Sequence, residues 1–325
     1  MNLWRRWVAL VDRREPATAL ALCRIAVGLV VAAHLGRMIA LDADTLVWAD
    51  ASHGGLRPLE PGWLAHVGGL TPTNIRLLTA GTAAAALALA AGLFTPVAAF
   101  LTWVGFRTLA DLNGHSGGAY DELLKNELLI LLVSGCGRAL SVDAWRKGPS
   151  FDRTAPAWPR YVLVFQLALM YWSTGMQKVS DGWVPGGSAD ALWYILQQPT
   201  WQRADMSWLA PYFPLTQVAT LGTWLFEQAA PLLLLAFWFR HTRTRPGRLR
   251  AAFNRLDVRA LYLLGGVGMH IGIEATMEVG AFSLASLALY LCAVHPDEWA
   301  ALARRLGLVR ATPPATSPGP LPTSP

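Results

Sequence analysis

The stretch from Tyr161 to Trp201, YVLVFQLALMYWSTGMQKVSDGWVPGGSADALWYILQQPTW, holds the residues best suited to chemistry. An apolar run carries Gln166 and Tyr171, loosens at Ser173-Thr174-Gly175 and ends at Lys178. Asp181, Trp183 and a Gly186-Gly187 turn follow. Lys178 is the only basic residue between Arg160 and Arg203. At a helix end such an amine can snorkel, its stem in lipid and its head in water. Held in a recess it does something else: burial favours the neutral form of an amine, and a neutral amine is a usable general base.

Other ionisable groups interrupt apolar runs, where each costs several kcal/mol and needs a reason. They are Arg24 and His34, Lys125 and Glu127, Glu227 ahead of Pro231, and His270 with Glu274. The plain expectation is that they pair with one another and fix the bundle, above all Arg24, Glu227 and Glu274. His270 and Glu274 stand at i,i+4 and share one helix face. No HExxH motif or third ligand accompanies them, so no metal is expected.

These residues sit in a chain of 325 residues, 54% hydrophobic and only 15% charged, with a mean hydropathy of +0.35. A soluble domain carries about 25% charge. Water-soluble enzymes, disordered chains, collagens and disulfide scaffolds are therefore disfavoured, and an all-α, polytopic helical membrane bundle is expected. Eight apolar segments stand out, at roughly 17–40, 76–93, 94–110, 121–139, 161–177, 216–239, 260–275 and 279–294. Phe94-Thr95-Pro96 marks a tight turn between the second and third. The first run is too long for the apolar core of a cleavable signal peptide. Cys23, Cys136 and Cys292 lie in or beside apolar runs without a CxxC pair, so neither disulfides nor a zinc knuckle are expected.

Most of the 27 basic residues cluster in four places: the N-terminus, the loops after the fourth and sixth segments, and the tail. Eight crossings put all four on one side. The positive-inside rule makes that side the cytoplasm, with both termini there, in a multi-pass protein of the cell membrane. The net charge of +6 reads as an orientation signal, and no nucleic-acid partner is expected. The partner is the lipid bilayer. Residues 1–16 form a cytoplasmic N-terminus, 17–300 the membrane domain and 301–325 a cytoplasmic tail, disordered from about 311, where Pro, Ser and Thr dominate. The outer loops are then 41–75, 111–120 and 178–215. They are rich in tryptophan, which anchors at the interface, and the last is apolar enough to lid a cavity.

Four blocks carry a resemblance to a known family. ATALALCRIAVGLVVAAHL surrounds Arg24; RALSVDAW runs from Arg138 to Trp145; GMQKVSDGWVPGGS contains Lys178; and MHIGIEATMEVGAFSLASLALYLCAVHPDEW contains His270. Together they resemble the vitamin K-dependent γ-glutamyl carboxylase superfamily, most closely the bacterial HTTM proteins related to its transmembrane part.

The resemblance implies a chemistry. In the carboxylase a lysine base deprotonates a reduced quinone, which reacts with oxygen. The strong base so formed takes a γ-proton from peptidyl glutamate, and the carbanion adds carbon dioxide. The motif lysine maps onto Lys178. His270 falls in the fourth block, and His115, in Asn113-Gly114-His115-Ser116, resembles an Asn-x-His-Ser element. The implied catalytic set is thus Lys178, His270 and His115. The implied cofactor is a reduced, vitamin K- or menaquinone-like quinone, held by Trp183, Tyr171 and Gln166. The implied activity is a carboxylase-like lyase acting on an exported peptide or small substrate at the outer face. Two features depart from the animal enzyme. Gln177 stands where it has a second lysine, and its large substrate-holding domain has no counterpart in this chain. A non-catalytic maturation or partner factor for an exported peptide or redox protein is the alternative reading. A transporter is disfavoured, because no internal repeat stands out.

Overall fold

The computed structural model describes residues 4, 5, 8 and 11–308. The expected disordered tail, Arg6 and Arg310 lie outside the described residues. The long helices are α1 (Thr18–Ala40), α3 (Pro72–Ala91), α4 (Thr95–Leu112), α5 (Ala119–Val133), α7 (Trp158–Gln177), α9 (Phe213–Gln228), α10 (Pro231–His241), α12 (Val258–Thr276) and α13 (Phe282–Ala293). Shorter ones are α2 (Ala43–Trp48), α6 (Val142–Arg146), α8 (Ala191–Gln197), α11 (Arg248–Leu256) and α14 (Pro296–Arg305). The described strands are β1 (Arg14–Pro16) and β2 (Thr154–Pro156), an antiparallel ribbon pairing Glu15 with Ala155. The protein is all-α in class.

Each of the eight apolar segments is helical. By length and composition α1 and α3 suffice to cross a membrane. The number rises to 4 if each of two bent pairs counts as one span: α9 with α10, bent by 48°, and α11 with α12, bent by 45°. α13, at 12 residues, is short of the ~20 a straight crossing needs. The sixth segment, expected to be continuous, breaks at Pro231, which cannot donate into the preceding turn. The fourth, expected to reach 139, stops at 133. Gly135 adopts φ 71° and turns the chain into a 3-10 turn at Cys136–Arg138.

α1 is the central helix. It packs on α3 and α13 and buries Cys23, Arg24, Val27, Val31 and Leu35. Gly28 permits the close approach of α3, since a Cβ there would lie 2.7 Å from the Ala86 carbonyl. Buried Thr79, Thr102 and Thr220 donate to carbonyls one turn back, which satisfies hydroxyls where no water is available. The outer surface is apolar: Leu77, Val97, Phe100, Val218, Leu264 and Ile271 are all exposed. Such a surface suits lipid rather than water.

The helix ends gather into two sets. At one end lie the β ribbon and the pairs Arg160–Glu15, Arg240–Asp297 and Arg259–Glu298. At the other lie Arg76–Asp44, Arg37–Glu278 and Arg203–Glu274. The first and second sequence blocks meet at the former end. Fully buried Arg24 donates to the carbonyls of Ala90, Cys136, Ala139 and Leu140. Asp143 caps α4, accepting from the backbone of Phe94 and Thr95 and from the Thr95 hydroxyl. The tight turn expected at Phe94 is therefore held by the Asp of the second block.

Candidate functional site

Lys178 follows directly on α7, its N–H still bonded to the Gly175 carbonyl. The chain then doubles back. Trp183 N–H bonds the Ser180 carbonyl, and Ala191 N–H reaches Gly182 at the start of α8. This fold lays the Trp183 ring 4.7 Å from Lys178 Nζ, in cation–π range. The side chain of Lys178 is recessed, at 16% exposed.

Its partner comes from α9. Nζ donates to both carboxylate oxygens of Glu227, whose side chain is 7% exposed. Gly175 makes the meeting possible: a Cβ there would stand 2.9 Å from Glu227 Cβ and hold the helices apart. The glycine and lysine of the third block thus act together, one as the seat for α9 and the other as the charge it receives.

Behind the pair lies a second polar group. Tyr171 sits seven residues before Lys178, on the same face of α7. Its hydroxyl is 2.5 Å from His270 Nε2 on α12 and 2.8 Å from the Tyr290 hydroxyl on α13. All three residues are buried, and His270 Nδ1 has no hydrogen-bond partner among the described residues. Phe226, next to Glu227, connects the two layers. It meets Tyr171 edge-on at 5.2 Å and stacks on Tyr262 at 4.3 Å.

On the far side of Phe226 an apolar cavity of about 460 Å³ opens between α8, α9 and α12. Its walls include Leu192, Phe226, Met269 and Ile273, over a floor of Gly222, Gly265, Gly268 and Gly272. Phe226 and Met269 are the chain neighbours of Glu227 and His270.

The structure brings together Lys178, Trp183, Tyr171, His270 and Glu227. The remaining candidates lie elsewhere. Gln166 faces α5, where its amide donates to the Leu123 carbonyl. His115 lies on an exposed turn after α4 and makes no hydrogen bond or ring contact with Lys178 or His270. Glu274 pairs with Arg203. The expectation that Arg24 and Glu227 join a network of in-span charges is corrected in detail: Arg24 is held by carbonyls and Glu227 by Lys178. Lys125 pairs with Asp111 and Glu122. Buried Glu127 has no hydrogen-bond partner for either oxygen among the described residues. No group of three or more His, Cys, Asp or Glu there is arranged to hold a metal ion.

Two features of the site were not legible in the sequence, the partner of Glu227 and the presence of Tyr290. Glu227 was singled out, but nothing in the chain paired it with Lys178. Tyr290 was missed altogether. Its signal was the polar stripe Ser283, Ser286 and Tyr290, spaced i, i+3, i+7 on one face of an otherwise apolar helix.

A helical bundle with a lipid-compatible exterior and a buried ion pair beside a tyrosine–histidine cluster defines a membrane protein with a polar centre. The chain belongs to the HTTM domain family, whose model matches residues 12–265. Lys178, Trp183 and Glu227 fall within the match; His270 and Tyr290 lie beyond it. No curated protein and no solved structure matches the chain.

Proposed function

We propose that this protein is a carboxylase-like enzyme of the bacterial cell membrane, crossing it eight times, whose Lys178–Glu227 pair takes up a proton from a reduced, lipid-soluble quinone. The pair itself carries the reading: a recessed amine held by a buried carboxylate and roofed by Trp183. Eight helical segments whose ends sort into two sets support the span count. With the arginine-rich end in the cytoplasm, Lys178 lies toward the outer side, where an exported peptide or small substrate would meet it.

A base at Nζ must first give a proton away, and Glu227 touches that nitrogen with both oxygens. Moving the proton from nitrogen to oxygen leaves two neutral groups. The nitrogen lone pair can then accept a proton from a hydroxyl. Trp183 covers one side of it and steadies the returning cation by about 0.5–2 kcal/mol. His270 offers a buried ring nitrogen with unused bonding capacity, and Tyr171 and Tyr290 fix its orientation.

The residues present fit a reduced quinone in kind. The glycine-floored cavity is apolar and large enough for a fused ring pair, and Phe226, the chain neighbour of Glu227, can stack on it. When bound, such a group supplies an acidic hydroxyl and, with oxygen, a base strong enough to deprotonate carbon.

Solvent extraction of the detergent-purified protein tests the reading. It should release a naphthoquinone in near-equal amount to the chain, and much less from a Gly268→Trp variant that fills the cavity. Extracts without quinone, from protein purified out of quinone-replete membranes, would overturn it.

A further inference from the structure

The opposite end of the bundle carries a second site, unconnected with the ion pair. A cavity of about 560 Å³ opens there between the N-terminal segment, α7, α10 and the start of α14. Its charges are unevenly matched. Arg160 is neutralised by Glu15, Arg240 by Asp297 and Glu298, and Arg14 by Asp152. Arg13 instead donates to His241 Nδ1, a neutral acceptor, at 2.7 Å. Neither Arg13 nor Arg243 has a carboxylate partner among the described residues. Two guanidinium charges therefore remain over in one concave space.

The cavity wall also holds His295, 9% exposed, whose Nε2 is buried without a hydrogen-bond partner. Burial first, and then the guanidinium groups of Arg160, Arg240, Arg259 and Arg13, push its imidazole down to about 2. The ring is thus neutral and adds no charge of its own to the cavity.

An apolar groove of about 400 Å³ adjoins this cavity between α7 and α10. The two share Tyr161 and His241. Val162, Phe165, Leu234 and Trp238 line the groove along the outer, lipid-compatible face of the bundle. A ligand matching both spaces is anionic at one end and hydrocarbon at the other.

We propose that this joint site binds an anionic phospholipid of the surrounding leaflet, its phosphate between Arg13 and Arg243 and an acyl chain in the groove. Charge complementarity selects the headgroup, and the unbroken run from cavity to groove selects a lipid over a free phosphate.

Native mass spectrometry of the full-length protein, titrated with phosphatidylglycerol, phosphatidylcholine or inorganic phosphate, tests this. Phosphatidylglycerol should be retained well above phosphatidylcholine. Each basic residue near a membrane surface contributes roughly fivefold, so Arg13→Ala with Arg243→Ala should weaken retention about 30-fold. Val162→Trp, which leaves every arginine in place and fills the groove, should weaken it too. Arg107→Ala, at the other end, should leave it unchanged. Equal retention of the two lipids, inorganic phosphate binding as tightly as phosphatidylglycerol, or arginine variants that retain lipid like the parent would each overturn the proposal.

Discussion

Lys178 and Glu227, 49 residues apart in sequence, form an ion pair that ties the end of α7 to the break between α9 and α10. The break at Pro231 bends the chain by 48° between α9 and α10. Placing a charged tie there fixes α9 at the height of Gly175. The N-terminal half of α9 is then free to pack on α8, the Leu192 N–H donating to the Thr220 hydroxyl. The loop carrying Trp183 is thereby pinned over the amine.

Removing one partner should cost more than removing both. Glu227→Gln leaves a recessed ammonium without its counterion, at an expected cost of about 3–5 kcal/mol. The double variant Lys178→Met with Glu227→Leu should recover most of that stability while staying inactive. Chemical unfolding in detergent, arranged as a double-mutant cycle, measures the difference. Additive losses would mean that the two side chains do not interact.

Gly175→Ala should act through geometry alone. The added methyl meets the Cβ of Glu227 and the backbone of Gln228, and overpacking of this kind costs about 1–3 kcal/mol. The same change at Gly36, where a Cβ meets nothing, should be harmless. Melting temperatures of the two variants make the comparison. Equal shifts would remove Gly175 from the site.

Arg24→Met should destabilise strongly, because it strips charge-assisted donors from four carbonyls, three of them buried. Each such bond contributes about 1.5–3 kcal/mol, although the released desolvation offsets part of the total. Low yield with accelerated proteolysis near 136–140 is the expected phenotype. An unaltered proteolytic pattern would mean that the joint between the first two blocks is not held by this residue.

Asp143 gives the fold an acid limb. Burial pushes its carboxyl up, but hydrogen bonds from the Thr95 backbone and hydroxyl and from the Phe94 backbone outweigh it and leave it below the ordinary carboxylate range. A depressed folded value means that its stabilisation is complete above about pH 4 and is lost as pH falls through the lowered value. Asp143→Asn should lower stability at neutral pH and flatten the fall below about pH 4. Melting curves across that window check it. Parallel acid limbs would contradict it.

The apolar segments were legible because hydrocarbon imposes one rule, that backbone groups be satisfied within the segment, and the helix answers it. Every segment became a helix, but the breaks came from local chemistry that hydropathy does not weigh. Pro231 split one segment, and Gly135 shortened another. Thr71, capping Asn74, started α3 earlier than its apolar run. Lys178 and Trp183 were legible because a lone charge and an aromatic flank a helix end within one short motif. Glu227 was visible as a cost without a visible partner, since pairing across α7 and α9 is a tertiary fact. Gln166 and His115 looked equally polar in the chain. α7 turns Gln166 toward α5, and His115 lies on an exposed turn.

Oxygen uptake by the purified protein in nanodiscs, started with reduced menaquinone, tests the central claim most directly. Wild type should consume oxygen in proportion to added quinol. Lys178→Ala, with a melting temperature confirming that it is folded, should fall to the rate of empty nanodiscs. A folded Lys178→Ala variant consuming oxygen at the wild-type rate would contradict the assignment of this amine as the base.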